Sequence, residues 1–209
     1  MKTASLGTVK FSNFEQVDLP YVGREYKTFI WTFDFNTTVS AEFTDDMFTK
    51  SDQSEFFNLP SNRQFYVNGS SIELDQMIKD TNNLLPIILP NVLKSQNKIL
   101  HDRWMTNAED IKKCSNFYTR IVKDDHGLDM GPHIDNSFVI GNMILNLIDN
   151  KVGTKFYSHG TDKTFVAPKE KNKGIFFLNT PGSLHSIKND SHQTRYTLNT
   201  YWNLNVQII

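Results

Sequence analysis

Cysteine is nearly absent from this sequence. Cys114 is the only cysteine among 209 residues, so no disulfide can form within the chain. An intracellular, reducing compartment suits an unpaired thiol. We therefore expect a cytoplasmic protein whose fold depends on a hydrophobic core.

Long apolar runs and a surplus of positive charge are also missing. No stretch approaches the roughly eighteen consecutive apolar residues of a membrane span, and residues 1–6 lack the apolar run of a signal peptide. The 22 basic and 23 acidic residues are mixed along the chain and give a net charge of −1. We expect a soluble protein without a membrane partner, and nothing in the charge pattern indicates nucleic acid binding.

Internal repeats, low-complexity runs and linkers rich in glycine, serine or proline are not found either. A chain of 24.2 kDa can bury a full core as one unit. We therefore expect a single domain over residues 1–209, in which the 16 phenylalanines mostly form the core and not a platform for stacking bases.

The first hundred residues combine strands with a helical segment. Residues 29–35 alternate between apolar and polar side chains, which predicts a half-buried strand. Between residues 70 and 100 the spacing becomes helical, and Ser70 with Glu73 resembles a capping box. Pro86 and Pro90 are expected to break or restart this helix, so one or two helices are predicted.

The most informative pattern lies in the second half. His133 and Asp135 are separated by one residue, so in an extended segment their side chains point to the same side. His185 follows fifty residues after Asp135. Two imidazoles and one carboxylate form the facial ligand set of a mononuclear iron(II) centre, which leaves adjacent positions open for a co-substrate and O2.

An anion anchor is expected beside this metal set. Short strands are predicted around residues 175–178, 184–188 and 194–204. If the last two formed a hairpin centred near residue 190, His185 would pair directly with Arg195. Arg195 would then reach the far end of a metal-bound ligand, and Thr197 would add a hydroxyl on the same face.

Other polar side chains have less certain roles. Asn142 and Asn146 interrupt an apolar strand on one face, where they contact a co-substrate, form a hydrogen bond to a metal ligand, or belong to an outward polar surface. The charges around Asp124 and Asp125 are interpreted as solvated loop residues.

These motifs resemble those of the 2-oxoglutarate- and Fe(II)-dependent dioxygenases, most closely the small prolyl-4-hydroxylase-like type. The similarity covers roughly residues 116–204. It implies a mainly β fold, a double-stranded β-helix or jelly roll, formed by residues 111–209 and supported by strands and one or two helices from residues 1–110. It also implies roles for individual residues. The metal ligands would be His133, Asp135 and His185, and the contacts to 2-oxoglutarate would be Arg195, Thr197 and, near the same carboxylate, Tyr118.

The resemblance further implies Fe(II), 2-oxoglutarate and O2 as reactants, and hydroxylation of a peptidyl proline, an amino acid or another small substrate. The catalytic set would comprise His133, Asp135, His185 and Arg195, with Asn142 as a further candidate contact to the co-substrate. Two alternatives stay open: a cupin-like metal enzyme that does not use 2-oxoglutarate, and a non-catalytic jelly-roll binding module. Neither the substrate nor the oligomeric state follows from the sequence.

Overall fold

The protein is mainly β-structure, as the sequence predicts. The structure, a computed structural model, describes residues 3–20, 29–40, 42–50, 60–96 and 115–204. Cys114 lies outside these ranges. The elements in chain order are β1 (Thr3–Leu6), β2 (Val9–Gln16), β3 (Ile30–Thr37), β4 (Phe48–Thr49), β5 (Arg63–Tyr66), α1 (Ile72–Gln96), β6 (Ser115–Asp124), β7 (Leu128–His133), β8 (Val139–Asn146), β9 (Lys155–Tyr157), β10 (Thr164–Val166), β11 (Lys173–Leu178), β12 (His185–Asn189) and β13 (Arg195–Leu204).

The strands form two antiparallel sheets. The large sheet has nine strands in the order β1-β2-β3-β11-β8-β13-β6-β5-β4, and the small sheet has four in the order β10-β9-β12-β7. Successive strands after β6 alternate between the sheets several times, which is the connectivity of a jelly roll. The predicted mainly β, jelly-roll fold with a supporting helix is thus confirmed.

Alternate side chains of the large sheet enter two different cores. On β11, Phe176 and Leu178 pack into the larger cluster together with buried residues of α1, such as Leu85 and Ile88. Phe177, between them on the strand, points to the opposite face. There it belongs to a smaller cluster with members from both sheets: Leu19, Ile30, Phe156, Ala167, Ile175 and Phe177. The helix therefore covers one face of the large sheet, and the small sheet covers the other.

The helical segment differs from its prediction in two respects. Helix α1 runs unbroken through Pro86 and Pro90, so the prediction that these prolines break or restart it is wrong. A proline inside a helix costs about 3 kcal/mol, whereas each buried Leu or Ile stabilises by about 1.5–3 kcal/mol. The second half of the helix buries several apolar side chains: Leu84, Leu85, Ile88, Leu89 and Val92.

The start of α1 lies one residue later than predicted. The backbone N–H of Leu74 donates to the hydroxyl of Ser71 at 3.4 Å, so Ser71 caps the helix and not Ser70. Within the described ranges, no helix is long and apolar enough to span a membrane.

The predicted hairpin between the last two strands is wrong. β12 pairs with β7 and β9 in the small sheet, whereas β13 pairs with β6 and β8 in the large one. His185 therefore lies opposite His133, and Arg195 lies opposite Asp124. The turn between the strands crosses from one sheet to the other, held by the side chain of Asn189, which donates to the backbone carbonyls of Asp124 and Gln193 at 3.0 Å each.

Candidate active site

Three ligand-type side chains meet at one end of the small sheet. His133 ends β7, Asp135 follows two residues later, and His185 begins β12 beside His133. One ligand atom from each of the three side chains lies within 4.8 Å of the other two. In the part of the chain that the structure describes, this is the one group of three or more such residues with metal-binding geometry.

Both imidazoles are oriented by backbone carbonyl groups. The Nδ1 atom of His133 lies 2.8 Å from the carbonyl oxygen of Gly131, and the Nδ1 atom of His185 lies 2.7 Å from that of Ser183. A carbonyl oxygen only accepts, so Nδ1 carries the proton in each ring. The lone pair is then on Nε2, as metal ligation requires.

The environment of His185 keeps its ring neutral. Burial lowers the pKa of this imidazole below its ordinary value, and it outweighs Asp135 and the Ser183 carbonyl, which both raise it. The rings of Phe156 and Phe177 lie against it at centroid distances of 5.5 and 4.9 Å. A neutral imidazole is the form that binds a metal ion.

The carboxylate of Asp135 is left without a protein partner on one side. Its Oδ2 atom is buried, and no described group forms a hydrogen bond with it. Its Oδ1 atom lies 4.0 Å from Nε2 of His185, which is too far for a hydrogen bond. A buried, unpaired carboxylate oxygen is costly, and a cation between these three side chains would satisfy it. The donor set of two imidazoles and one carboxylate fits iron(II).

A buried charge cluster lies across the cavity on the large sheet. Asp124 is fully buried, and its carboxylate accepts hydrogen bonds from Arg63 at 2.7 and 2.9 Å and from Arg195 at 2.7 Å. Burial raises the pKa of Asp124, but the charges of and hydrogen bonds from Arg63 and Arg195 outweigh burial and hold this pKa below its usual range. The interpretation of Asp124 as a solvated loop charge is therefore wrong.

This cluster, Arg63–Asp124–Arg195, retains one positive charge, because two guanidinium groups face one carboxylate. The Nε of Arg195 is buried and has no hydrogen-bond partner among the described residues. Both arginines line the same cavity as His133, Asp135 and His185, which has a volume of about 360 Å³. A carboxylate in this cavity would neutralise the cluster and satisfy the free N–H of Arg195.

Strand register fixes the order of side chains along the cavity wall. Alternate residues of β6 and β13 lie opposite each other: Asp124 pairs with Arg195, Val122 with Thr197, Arg120 with Asn199, and Tyr118 with Tyr201. Because strands rise about 3.4 Å per residue, the Arg120 row lies roughly 14 Å and the Tyr118 row roughly 20 Å from the Arg195 row.

The remaining predicted residues occupy different positions on this wall. Thr197 is fully buried in the row next to Arg195, and no described group bonds its hydroxyl. Asn142, on β8, lines the cavity opposite Tyr201 of β13. Tyr118 also lines it but is 54% exposed at the far end. That separation from Arg195 is too long for both residues to hold one carboxylate.

Sequence reasoning missed Arg63, Asp124 and Arg120 as cavity or cluster residues. One signal was available, because Tyr118, Arg120, Val122 and Asp124 alternate along one strand and therefore share a face. Arg63 gave no signal, since 61 residues separate it from Asp124. Asn146, unlike Asn142, serves the backbone: its side-chain amide donates to the carbonyls of Pro168 at 2.7 Å and Lys173 at 3.1 Å.

Comparison with known proteins shows that this fold also occurs in a solved structure. No protein-family model matches the sequence, and no curated protein matches it. The structure overlays on a protein from Shewanella oneidensis that is named as an oxygenase, with a TM-score of 0.55, 11% identity, and coverage of 87% of this chain and 84% of that one. This chain shares the fold of that protein.

Two further solved structures overlay less completely. A Pseudomonas putida prolyl-4-hydroxylase gives a TM-score of 0.45 at 10% identity, covering 73% of this chain and 80% of the other. The viral collagen prolyl hydroxylase of Paramecium Bursaria Chlorella virus-1, solved with 2-oxoglutarate (2OG), gives 0.42 at 12% identity, covering 69% and 79%. At 11% identity the overlay on the Shewanella oneidensis protein shows the fold alone, so the function has to be argued from the site.

Proposed function

We propose that this chain is an Fe(II)- and 2-oxoglutarate-dependent dioxygenase that hydroxylates an unactivated C–H bond of a small substrate. The observation that carries the proposal is the juxtaposition, in one cavity, of a two-histidine, one-carboxylate metal set and a buried arginine with an unpaired N–H. When bound, iron(II) with 2-oxoglutarate and O2 supplies the oxidation, in which one oxygen atom enters succinate as CO2 is released and the other becomes the new hydroxyl.

In this proposal the protein orients the reactants. His133, Asp135 and His185 hold the metal on one side of the cavity, with both Nε2 atoms aimed by the Nδ1 hydrogen bonds. Arg195 binds the distal carboxylate of 2-oxoglutarate, and Asp124 fixes the guanidinium that does so. A co-substrate held at both ends has one pose, which is the main contribution that a protein makes to such chemistry.

The two alternatives explain less of the site. A cupin-like enzyme without 2-oxoglutarate has no use for the positive charge of the Arg63–Asp124–Arg195 cluster facing the metal set. A binding module without a metal leaves Asp135 Oδ2 buried and unsatisfied. An iron(II) centre with a dicarboxylate co-substrate accounts for both features.

The direct test is anaerobic reconstitution. We expect the folded protein to bind one Fe(II), and then 2-oxoglutarate, with the weak visible charge-transfer band of the chelated 2-oxo acid. Succinate as the added ligand is the control, because it has the carboxylates without the keto group. Iron-loaded protein that gives no band with 2-oxoglutarate would contradict the proposal.

The role of Arg195 in binding 2-oxoglutarate can be tested separately from metal binding. We expect Arg195→Ala to weaken 2-oxoglutarate binding by about 2–5 kcal/mol, because a buried charge pair loses one partner. Iron affinity should change little, since Arg195 is on the other sheet. Arg195→Lys should restore binding only in part, since lysine cannot grip a carboxylate with two N–H groups. Titration calorimetry with circular dichroism as a folding check measures this, and wild-type affinity in Arg195→Ala would refute the assignment.

A further inference from the structure

A second cation, Arg120, faces the same cavity and has no negatively charged partner among the described residues. Its guanidinium carbon lies 3.8 Å from the centre of the Phe65 ring, with the rings of Tyr201 and Tyr118 at 5.2 and 5.8 Å. Its Nε is buried without a hydrogen-bond partner, and no carboxylate in the described ranges forms an ion pair with it. Three aromatic rings thus hold the guanidinium in place and leave its N–H groups free for a ligand.

Arg120 is placed to bind an anion other than the one at Arg195. The row of Arg120 and Asn199 lies four positions along each strand from the row of Asp124 and Arg195. The row of Val122 and Thr197 lies halfway between them. Arg195 donates a hydrogen bond to Asp124, whereas the guanidinium of Arg120 lies over the ring of Phe65 and near that of Tyr201. Under the proposed function the Arg195 site takes the co-substrate, so Arg120 is available to the molecule that is hydroxylated.

Hydrogen-bond acceptors line the same cavity as this cation. Asn142, Asn199 and Asn203 line the cavity, and the side-chain oxygen of each is buried with no partner in the described part of the chain. Unpaired amide oxygens require N–H or O–H donors. The wall thus offers a cationic donor for a carboxylate and, on neighbouring strands, several acceptors for an ammonium group.

From this pattern, and resting on the proposed function above, we propose that the substrate is a free α-amino acid, whose carboxylate binds Arg120 and whose ammonium group donates to the asparagine oxygens. A residue inside a peptide lacks both the α-carboxylate and the α-ammonium group, so its main chain would leave Arg120 unpaired. Size agrees with this assignment, because a cavity of about 360 Å³ is near the lower end of ligand pockets, roughly 300–1,000 Å³, and co-substrate occupies part of it.

The test uses equilibrium binding and not turnover. Each proteinogenic L-amino acid, and separately its C-terminal amide, is titrated by calorimetry into anaerobic protein loaded with Fe(II) and 2-oxoglutarate. We expect at least one free amino acid to bind, and its amide to bind about 10- to 100-fold more weakly, the effect of losing a charged hydrogen bond.

Variants identify the residue responsible. Arg120→Gln should weaken that amino acid by the same factor and leave 2-oxoglutarate affinity unchanged, and Arg120→Lys should fall between Arg120→Gln and wild type. Lys155→Gln is the matched control, because Lys155 also lies over an aromatic ring, Tyr157, at 5.2 Å, but outside the cavity lining. Its affinities should equal those of wild type.

Three outcomes would overturn the proposal: no free amino acid binds, the amide binds equally well, or Arg120→Gln weakens 2-oxoglutarate as much as the amino acid. Failure of the proposed function is distinguishable, since it shows in the 2-oxoglutarate titration on the same protein before any amino acid is added. In that case, titration of amino acids into metal-free wild-type and Arg120→Gln protein still decides the role of Arg120.

Discussion

Replacing Asp135 by alanine is expected to abolish stoichiometric iron binding, with a loss of affinity well beyond 100-fold. Changing a residue that only supports a metal ligand typically costs about 10–100-fold, and Asp135 would supply the one negative charge of the ligand set. The fold should persist, because the hydrogen bond that Asp135 makes to Asn179 at 3.1 Å uses its backbone carbonyl. Iron retained after anaerobic gel filtration, together with a thermal unfolding curve, measures both effects.

Asp129→Ala is the matched control for this change. Asp129 lies on β7, the strand that leads into Asp135, but its side chain is 58% exposed and its carboxylate lies 3.8 Å from Nζ of Lys188. We expect this variant to keep its iron. If Asp135→Ala held iron as tightly as Asp129→Ala does, the metal set derived from the structure would be refuted.

Replacing Asp124 by alanine should have the largest effect on stability. Removal of its carboxylate leaves Arg63 and Arg195 buried side by side with no counter-charge. Breaking a buried ion pair by removing one partner costs about 3–5 kcal/mol. Urea unfolding should show a loss of this size, together with weaker 2-oxoglutarate binding because the Arg195 guanidinium is no longer fixed.

The neighbouring Asp125 provides the comparison. Its side chain is 32% exposed, and its carboxylate accepts hydrogen bonds from Thr194 at 2.9 Å and Gln64 at 3.4 Å and lies 3.5 Å from Lys123. Because Lys123 keeps Asp45 as a partner at 2.8 Å, Asp125→Ala leaves no buried charge unpaired and should cost only about 1 kcal/mol. Equal losses in the two variants would argue against a special role for the buried cluster.

The lowered pKa of Asp124 also predicts how stability depends on pH. Because its folded pKa lies below the unfolded value, the contribution of this group is fully present above about pH 4, the ordinary carboxyl pKa. It is lost as the pH falls through the lower, folded pKa. The difference in unfolding free energy between wild type and Asp124→Ala should therefore be constant above about pH 4 and shrink progressively as the pH falls below it.

Much of the strand pattern and the convergence of His133 with Asp135 could be read from local sequence. Strand β13 begins and ends within one residue of its prediction, because alternation and flanking turn residues mark a half-buried strand. His133 and Asp135 converge because neighbouring residues at i and i+2 share a side. These features depend on the residues themselves and on their near neighbours.

The features that were predicted wrongly depend on distant partners. A polar turn at residues 189–191 is compatible with a hairpin or with a crossover, and the choice is made by the bonds of Asn189 to Asp124 and Gln193. The burial of Asp124 likewise depends on Arg63, which comes from a strand that the sequence does not mark. Local patterns carry no information about such pairings.

The placement of His133 and His185 on one sheet and of Arg195 on the other has a consequence for which 2-oxo acid can serve as co-substrate. The spacing of the two sheets would set the distance between a bound metal ion and the guanidinium of Arg195. Packing between the sheets maintains that spacing, such as the contact of Phe156 on the small sheet with Phe177 on the large one, at a centroid distance of 5.0 Å. Under the proposed function this spacing acts as a ruler for the co-substrate. A 2-oxo diacid one methylene shorter would reach either the metal or the arginine but not both. The packing of Phe156 and Phe177, whose rings also lie against His185, would thus set the length of the acid that the protein accepts.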